Sequence, residues 1–379
     1  MLNACLVRKR SLVVLCGAIV TLPSWANVLE QTEEYVEDSE RIGESLAVHK
    51  GNWVAAPMPI SNPTLGTGLQ AVVLYLHPSR DEGGRNATTG IGGLYTDRGS
   101  KFGGVFHQNY LAEDRFRITA AAGTGVLRLR YFGPSEGGRL SENPLEYDFN
   151  ADILFLQGQV RLPRTERWYL GPTILTNYAQ IEWQGLNLGE RNPDGPSIGV
   201  DVRTQALGLV LAYDTRNDNY YPTKGIEFQT RWADYTGEAI GNLSYAKYSS
   251  SANFYIAATD EITVALRANF QGSYGDVPFY DLPNLDIRGY NRARFSDKFT
   301  LSLHAEARYM FSARWGVVGF IDGGWANDSV DGLLRGQAGS SFGSGLRWKV
   351  LESKSLHLGL DAAVSKDDAV VFIQIGEKF

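Results

Sequence analysis

The sequence predicts an all-β chain: an antiparallel transmembrane β-barrel of sixteen strands, with one long loop folded into the lumen. Three observations predict it. Apolar and polar residues alternate over runs longer than the usual ~5–6 residue soluble strand, matching the ~9–11 residues of a tilted membrane strand. No segment beyond the N-terminal stretch approaches the ~20 apolar residues of a membrane helix. Aromatics are abundant, and the 42 glycines among 379 residues lie well above the roughly 7% of average proteins.

Residues 1–26 read as an export signal. Arg8, Lys9 and Arg10 form a basic start, Leu12 to Leu22 a short apolar core, and Ser24-Trp25-Ala26 a small-x-small cleavage site. Cys5 and Cys16 both fall in this segment, so the remainder has no disulfide framework and no thiol chemistry. The net charge is −6, and losing Arg8, Lys9 and Arg10 with no acid takes it to −9. Nucleic acid is excluded as a partner for such a surface. Residues 27–55 are expected to form a short acidic periplasmic segment, helical or disordered. They carry Glu30, Glu33, Glu34, Glu37, Asp38, Glu40 and Glu44, and are placed either as a plug of the lumen or free in the periplasm.

The barrel is expected over 56–379. Eight strands are read before Thr215, at 64–77, 88–97, 101–112, 114–122, 125–132, 147–161, 167–183 and 200–214. The division at Gly123-Thr124-Gly125 has one long kinked strand as its alternative, and a slip of pattern near Phe155 predicts a bulge. A turn follows, marked by Asp214, Arg216, Pro222 and Gly225. Pro222 fixes φ and Gly225 allows a backbone shape closed to other residues, while Asp214 and Arg216 are placed to pair across the turn. These are the residues any tight turn needs. Calcium is excluded here, because Arg216 and Asn219 stand where an acid and a glycine would be required.

Eight further strands start near 224, 244, 261, 298, 315, 337, 355 and 369. The pattern is clearest from Lys298 to Phe311. Phe299, Leu301, Leu303, Ala305, Ala307, Tyr309 and Phe311 share one face, and Thr300, Ser302, His304, Glu306 and Arg308 the other. An apolar outside and a polar inside suit a barrel in lipid. Loop length sorts with parity. The short connections 163–166, 260–261, 313–314 and 352–354 fall on the periplasmic side, and 78–87, 133–146, 184–199, 275–297 and 327–336 on the other. The final segment from Val371 alternates up to Gly376 and Phe379 and resembles the terminal strand that outer-membrane assembly machinery recognises. Glu377 departs from it by falling on the outward face.

Two short motifs give these strands a family. Ile287-Arg288-Gly289-Tyr290 lies in the long loop 275–297, and Phe320-Ile321-Asp322-Gly323-Gly324 on a strand. Gly289 permits a tight tip, and Arg288 presents a planar fork of donors suited to a carboxylate. With Trp315, Val317 and Ile321 facing lipid, Asp322 faces the lumen, and Glu306 is a second inward carboxylate. Together with the 214–225 block, the motifs resemble the signature of the BamA/TamA outer-membrane barrel family, also called bacterial surface antigens. The resemblance implies that Arg288 folds into the barrel and pairs with Asp322, with Glu306 as fallback, as a structural latch. It implies the outer membrane of a Gram-negative-type bacterium, an N-terminus in the periplasm, and a role in assembly, insertion or translocation of proteins or lipids. The implied partners are outer-membrane lipid, unfolded outer-membrane or secreted clients, and the assembly machinery that inserts the barrel itself. Members that insert or export proteins usually carry POTRA modules, for which 27–55 is too short. The alternative is therefore a POTRA-less channel or structural surface barrel. A barrel enzyme is the third reading. His49, His77, His107, His304 and His357 show neither a metal spacing nor a nucleophile motif, and Ser302, His304 and Glu306 read as a lumen network. No cofactor is expected.

Overall fold

The computed structural model describes residues 52–62, 65–77, 87–133, 140, 143–183, 198–218, 221–349, 357–366, 369–375 and 377–379. The expected export signal, the acidic residues up to 51 and Gly376 lie outside them. The strands are β1 (Asn52–Asn62), β2 (Gly66–Leu76), β3 (Thr88–Thr96), β4 (Lys101–Leu111), β5 (Phe116–Tyr131), β6 (Leu145–Arg161), β7 (Trp168–Trp183) and β8 (Ile198–Asp214). They continue with β9 (Gly225–Glu238), β10 (Asn242–Ala257), β11 (Ile262–Gly275), β12 (Phe299–Tyr309), β13 (Trp315–Asn327), β14 (Gln337–Lys349), β15 (His357–Ser365) and β16 (Ala369–Ile375). Each pairs with its sequence neighbours in one antiparallel sheet. Among the described residues no ladder joins β1 to β16, although the two lie side by side, so the sheet is not closed.

Two of the expected strands are corrected, and the errors offset. The segments 114–122 and 125–132 are the single strand β5, in unbroken register with β6 from Phe116↔Val160 to Tyr131↔Leu145. Gly125 sits at φ +154°, where a Cβ would collide with the Lys101 carbonyl oxygen. The glycines interrupt the side-chain pattern and do not end the strand. Conversely, β1 lies ahead of the first expected strand at 64–77 and has no expected counterpart; it also starts before the expected barrel boundary at 56. Pro57 and Pro59 remove ladder donors, which disguises the strand and suits it to the edge position it holds. Equality of number therefore does not confirm the sequence count. The shift also moves 78–87. Its flanking residues His77 and Thr88 lie at the end shared by the 112–115 and 162–167 turns, opposite 132–144.

The polar lumen is the second correction. Around β12 it holds: Thr300, Ser302, His304, Glu306 and Arg308 are all buried, while Leu303 and Tyr309 are exposed. In the loop-side half of β5 to β8 the faces invert. Tyr147, Phe149, Ala151, Ile153 and Phe155 point inward into an apolar core with Leu127, Leu129, Leu175 and Ile181. Asn150, Asp152, Asp201, Arg203 and Gln205 face outward. The expected bulge near Phe155 does not exist, since the register is continuous on both sides. The apparent slip is this inversion of faces.

Candidate functional site

The 276–298 segment between β11 and β12 turns into the barrel. Pro278 leads a 3-10 turn at Phe279–Asp281. Asn284 and Ser296 form a bridge, and Leu285 N–H donates to the Phe295 carbonyl at 2.9 Å, so the segment descends as a narrow hairpin. Gly289, at φ +88°, makes its tip. Leu285, Ile287, Phe295 and Ala326 are packed together with Tyr290 against them. The wall makes room: a Cβ at Gly324 would press on Leu285, and one at Gly339 on Phe295. The Ser365 hydroxyl donates to the Gly289 carbonyl at 3.0 Å, and the Tyr290 hydroxyl to the Ser340 carbonyl at 3.2 Å.

At this tip Arg288 meets both expected partners at once. Its Nε and Nη2 donate to the two oxygens of Asp322, each at 2.7 Å, and its Nη1 donates to Glu306 at 2.8 Å. Its backbone N–H reaches Asp322 at 3.2 Å, and its guanidinium lies 3.5 Å from the Phe320 ring centre. All three charged side chains are buried. Burial alone would lower the Arg288 pKa; Asp322, then Glu306, outweigh it and hold the guanidinium above its ordinary range. Glu306 is thus more than a fallback. His304 Nδ1 lies 3.0 Å from Asp322, and its Nε2 is 3.2 Å from the Ser302 hydroxyl. With both carboxylates held by arginine, neither is free to act as a general base.

Beyond the predicted latch the charges continue. Arg308 donates to Glu306 at 2.8 Å and to the Phe379 backbone oxygen at 2.6 Å. Glu377 accepts from Arg347 at 2.8 Å, and Arg347 also grips Asp361. The outward placement of Glu377 is therefore corrected. β16 ends at Ile375, and Glu377 to Phe379 turn inward, where Phe379 packs on Tyr255 and Ala265. A pairing partner inside outweighs continued alternation. In the 214–225 block Arg216 forks onto Asp214 at 3.0 and 3.1 Å, and Gly225 holds φ +113°. It adds Glu227, 2.7 Å from Arg216, and it reaches the lumen, where the Pro222 carbonyl lies 3.5 Å from Arg308.

A second anchor of the loop carried no sequence motif. Asp281, fully buried, accepts from Lys247 Nζ at 2.6 Å and from the Tyr245 hydroxyl at 2.6 Å. Beside it, Phe279 packs its ring 5.0 Å from those of Tyr131 and Trp183. Inward parity alone would have placed Lys247 and Arg347 in the lumen; nothing in their spacing names their partners.

The Omp85 superfamily domain model matches residues 142–350. Among solved structures, BamA from Haemophilus ducreyi lacking POTRA domains 1–3 is similar over 87% of this chain and 70% of its own, with TM-score 0.55 and 12% identity. CdiB from Acinetobacter baumannii is similar with TM-score 0.56 and 12% identity, over 87% of this chain and 60% of its own. CdiB from Escherichia coli gives TM-score 0.57 and 12% identity over 87% and 63%. This chain thus spans less than two thirds of either CdiB. No curated protein matches in sequence.

Proposed function

Because this chain belongs to the Omp85 superfamily, an outer-membrane β-barrel family, we propose that it assists the assembly, insertion or translocation of proteins, or of lipids, at that membrane. The observation that carries the reading is the unladdered seam. β16 has only seven residues, and β1 carries two prolines at the sheet edge. Such a seam can part at low cost, because few backbone hydrogen bonds are lost. The latch supports the same reading, since Arg288 fixes the loop tip against β12 and β13 and leaves the seam as the weak line of the wall. A simple channel fits less well, because the loop and its aromatic anchor occupy the lumen. Catalysis at the Ser302, His304 and Glu306 cluster also fits less well, because arginine engages Glu306, its one carboxylate, and the adjoining Asp322. The short turns and the N-terminus are assigned to the periplasm, and the partners are unfolded protein clients together with the machinery that inserts the barrel. The test is a set of cysteine pairs between 54–60 and 369–375, assayed in proteoliposomes with a urea-denatured outer-membrane barrel as client. Oxidation should stop client insertion, and reduction restore it. Full activity of a tethered seam would sink the proposal.

A further inference from the structure

The outward wall carries a recess that neither the latch nor the seam uses. It is a broad, open hollow of about 980 Å³ on the face of β3 to β8. Its lower part is apolar, where Ala122 pairs with Leu154 in register. One row toward the loop-bearing end, Thr124, Asp152, Tyr178 and Arg203 follow one another across four strands. Gly103 lines it without a side chain, and an added Cβ there would meet nothing nearer than the Gly92 carbonyl oxygen at 3.6 Å. The Thr124 hydroxyl donates to Asp152 at 2.6 Å. The Arg203 guanidinium stands 5.4 Å over the Tyr178 ring, and among the described residues no carboxylate pairs with it, its register partner Glu238 included.

Each part of this surface suits one part of a single kind of molecule. An apolar recess open to hydrocarbon receives an acyl chain. An aromatic face beside hydroxyl, carboxylate and amide groups (Thr124, Asp152, Gln205) suits a saccharide ring and its hydroxyls. A guanidinium that no carboxylate engages among the described residues suits a phosphate. We propose that this recess seats an acylated, phosphorylated saccharide lipid, its chain against Ala122 and Leu154 and its phosphate on Arg203. The polar rim faces the end that bears the long loops, so the lipid belongs to the outer leaflet; this clause rests on the orientation assigned above. The site itself does not depend on assembly activity.

Native mass spectrometry of the delipidated full chain in detergent, titrated with lipid A, tests it without reference to orientation or client. The barrel should retain one lipid A under conditions that strip phosphatidylethanolamine. Arg203→Ala should weaken retention roughly tenfold, the loss expected for one charge-assisted hydrogen bond. Gly103→Leu, which fills the recess from an open position, should do the same, and Tyr178→Ala serves if that variant does not fold. Leu360→Ala, outward on β15, should match the parent. Heat-modifiable gel migration shows which variants are folded barrels. Equal retention in all folded variants, equal retention of phosphatidylethanolamine, or displacement by inorganic phosphate alone would each overturn the site.

Discussion

Arg288 neutralises a pocket in which its two partners are unequally provided for. Glu306 keeps Arg308 if Arg288 is lost, whereas among the described residues Asp322 keeps only the neighbouring His304. Arg288→Ala should therefore cost more than Asp322→Ala, within the roughly 3–5 kcal/mol of a broken buried pair. Urea unfolding followed by tryptophan fluorescence will rank them, and the reverse order would show that Asp322 is not held mainly by this arginine. The double variant should be less damaging than the sum of the two. Arg288→Lys should recover only part, because an ammonium cannot fork onto Asp322 while reaching Glu306. At this scale the sequence was legible where a motif and strand parity agreed, as they did for Arg288, Asp322 and Glu306. It misled at Glu377, because parity holds only while a strand continues, and β16 stops at Ile375.

Among the elements, the lumen loop is held at two places, and this changes what a single substitution can do. Arg288→Ala leaves Asp281 on Lys247 and Tyr245; Asp281→Asn leaves the tip on β12 and β13. Neither alone should expose a cysteine placed at Tyr290 to a bulky impermeant reagent, nor raise conductance in planar bilayers. Both together should do both. A rise with Arg288→Ala alone would mean that the aromatic anchor carries no load. Gly125 gives a second prediction. Its positive φ and its closeness to the Lys101 carbonyl mean that Gly125→Val should cost roughly 1–3 kcal/mol and lower the folded fraction on heat-modifiable gels. Normal yield would show that the kink relaxes freely. These elements were partly hidden in the sequence. Glycines inside β5 look like glycines that end a strand, and prolines at an edge look like prolines in a loop. The Lys247–Asp281 contact joins residues far apart in the chain through side chains whose types are ordinary in any lumen.

At the scale of the whole molecule, alternation made the barrel legible but hid the level at which the membrane stops. Along β6 the outward residues pass from Leu156 and Leu154 to Asp152 and Asn150, while the inward ones become aromatic. A cysteine at Asn150 should react with an impermeant maleimide on intact cells, and one at Leu156 should not. Equal protection of both would place the upper wall in lipid after all. The inversion divides the molecule between two solvents. Near the latch, inward charges are paired and apolar side chains face hydrocarbon, so unfolding into detergent uncovers little grease to water. In the upper wall, Phe149, Phe155, Ile181 and their neighbours are shielded from water by one another and by Phe279 and Tyr280 of the loop. Melting that half should carry a large positive heat-capacity change, and melting the other half a small one. Cooling, which weakens the burial of apolar surface from water, should loosen the end that bears the long loops while the membrane-embedded girdle stays intact.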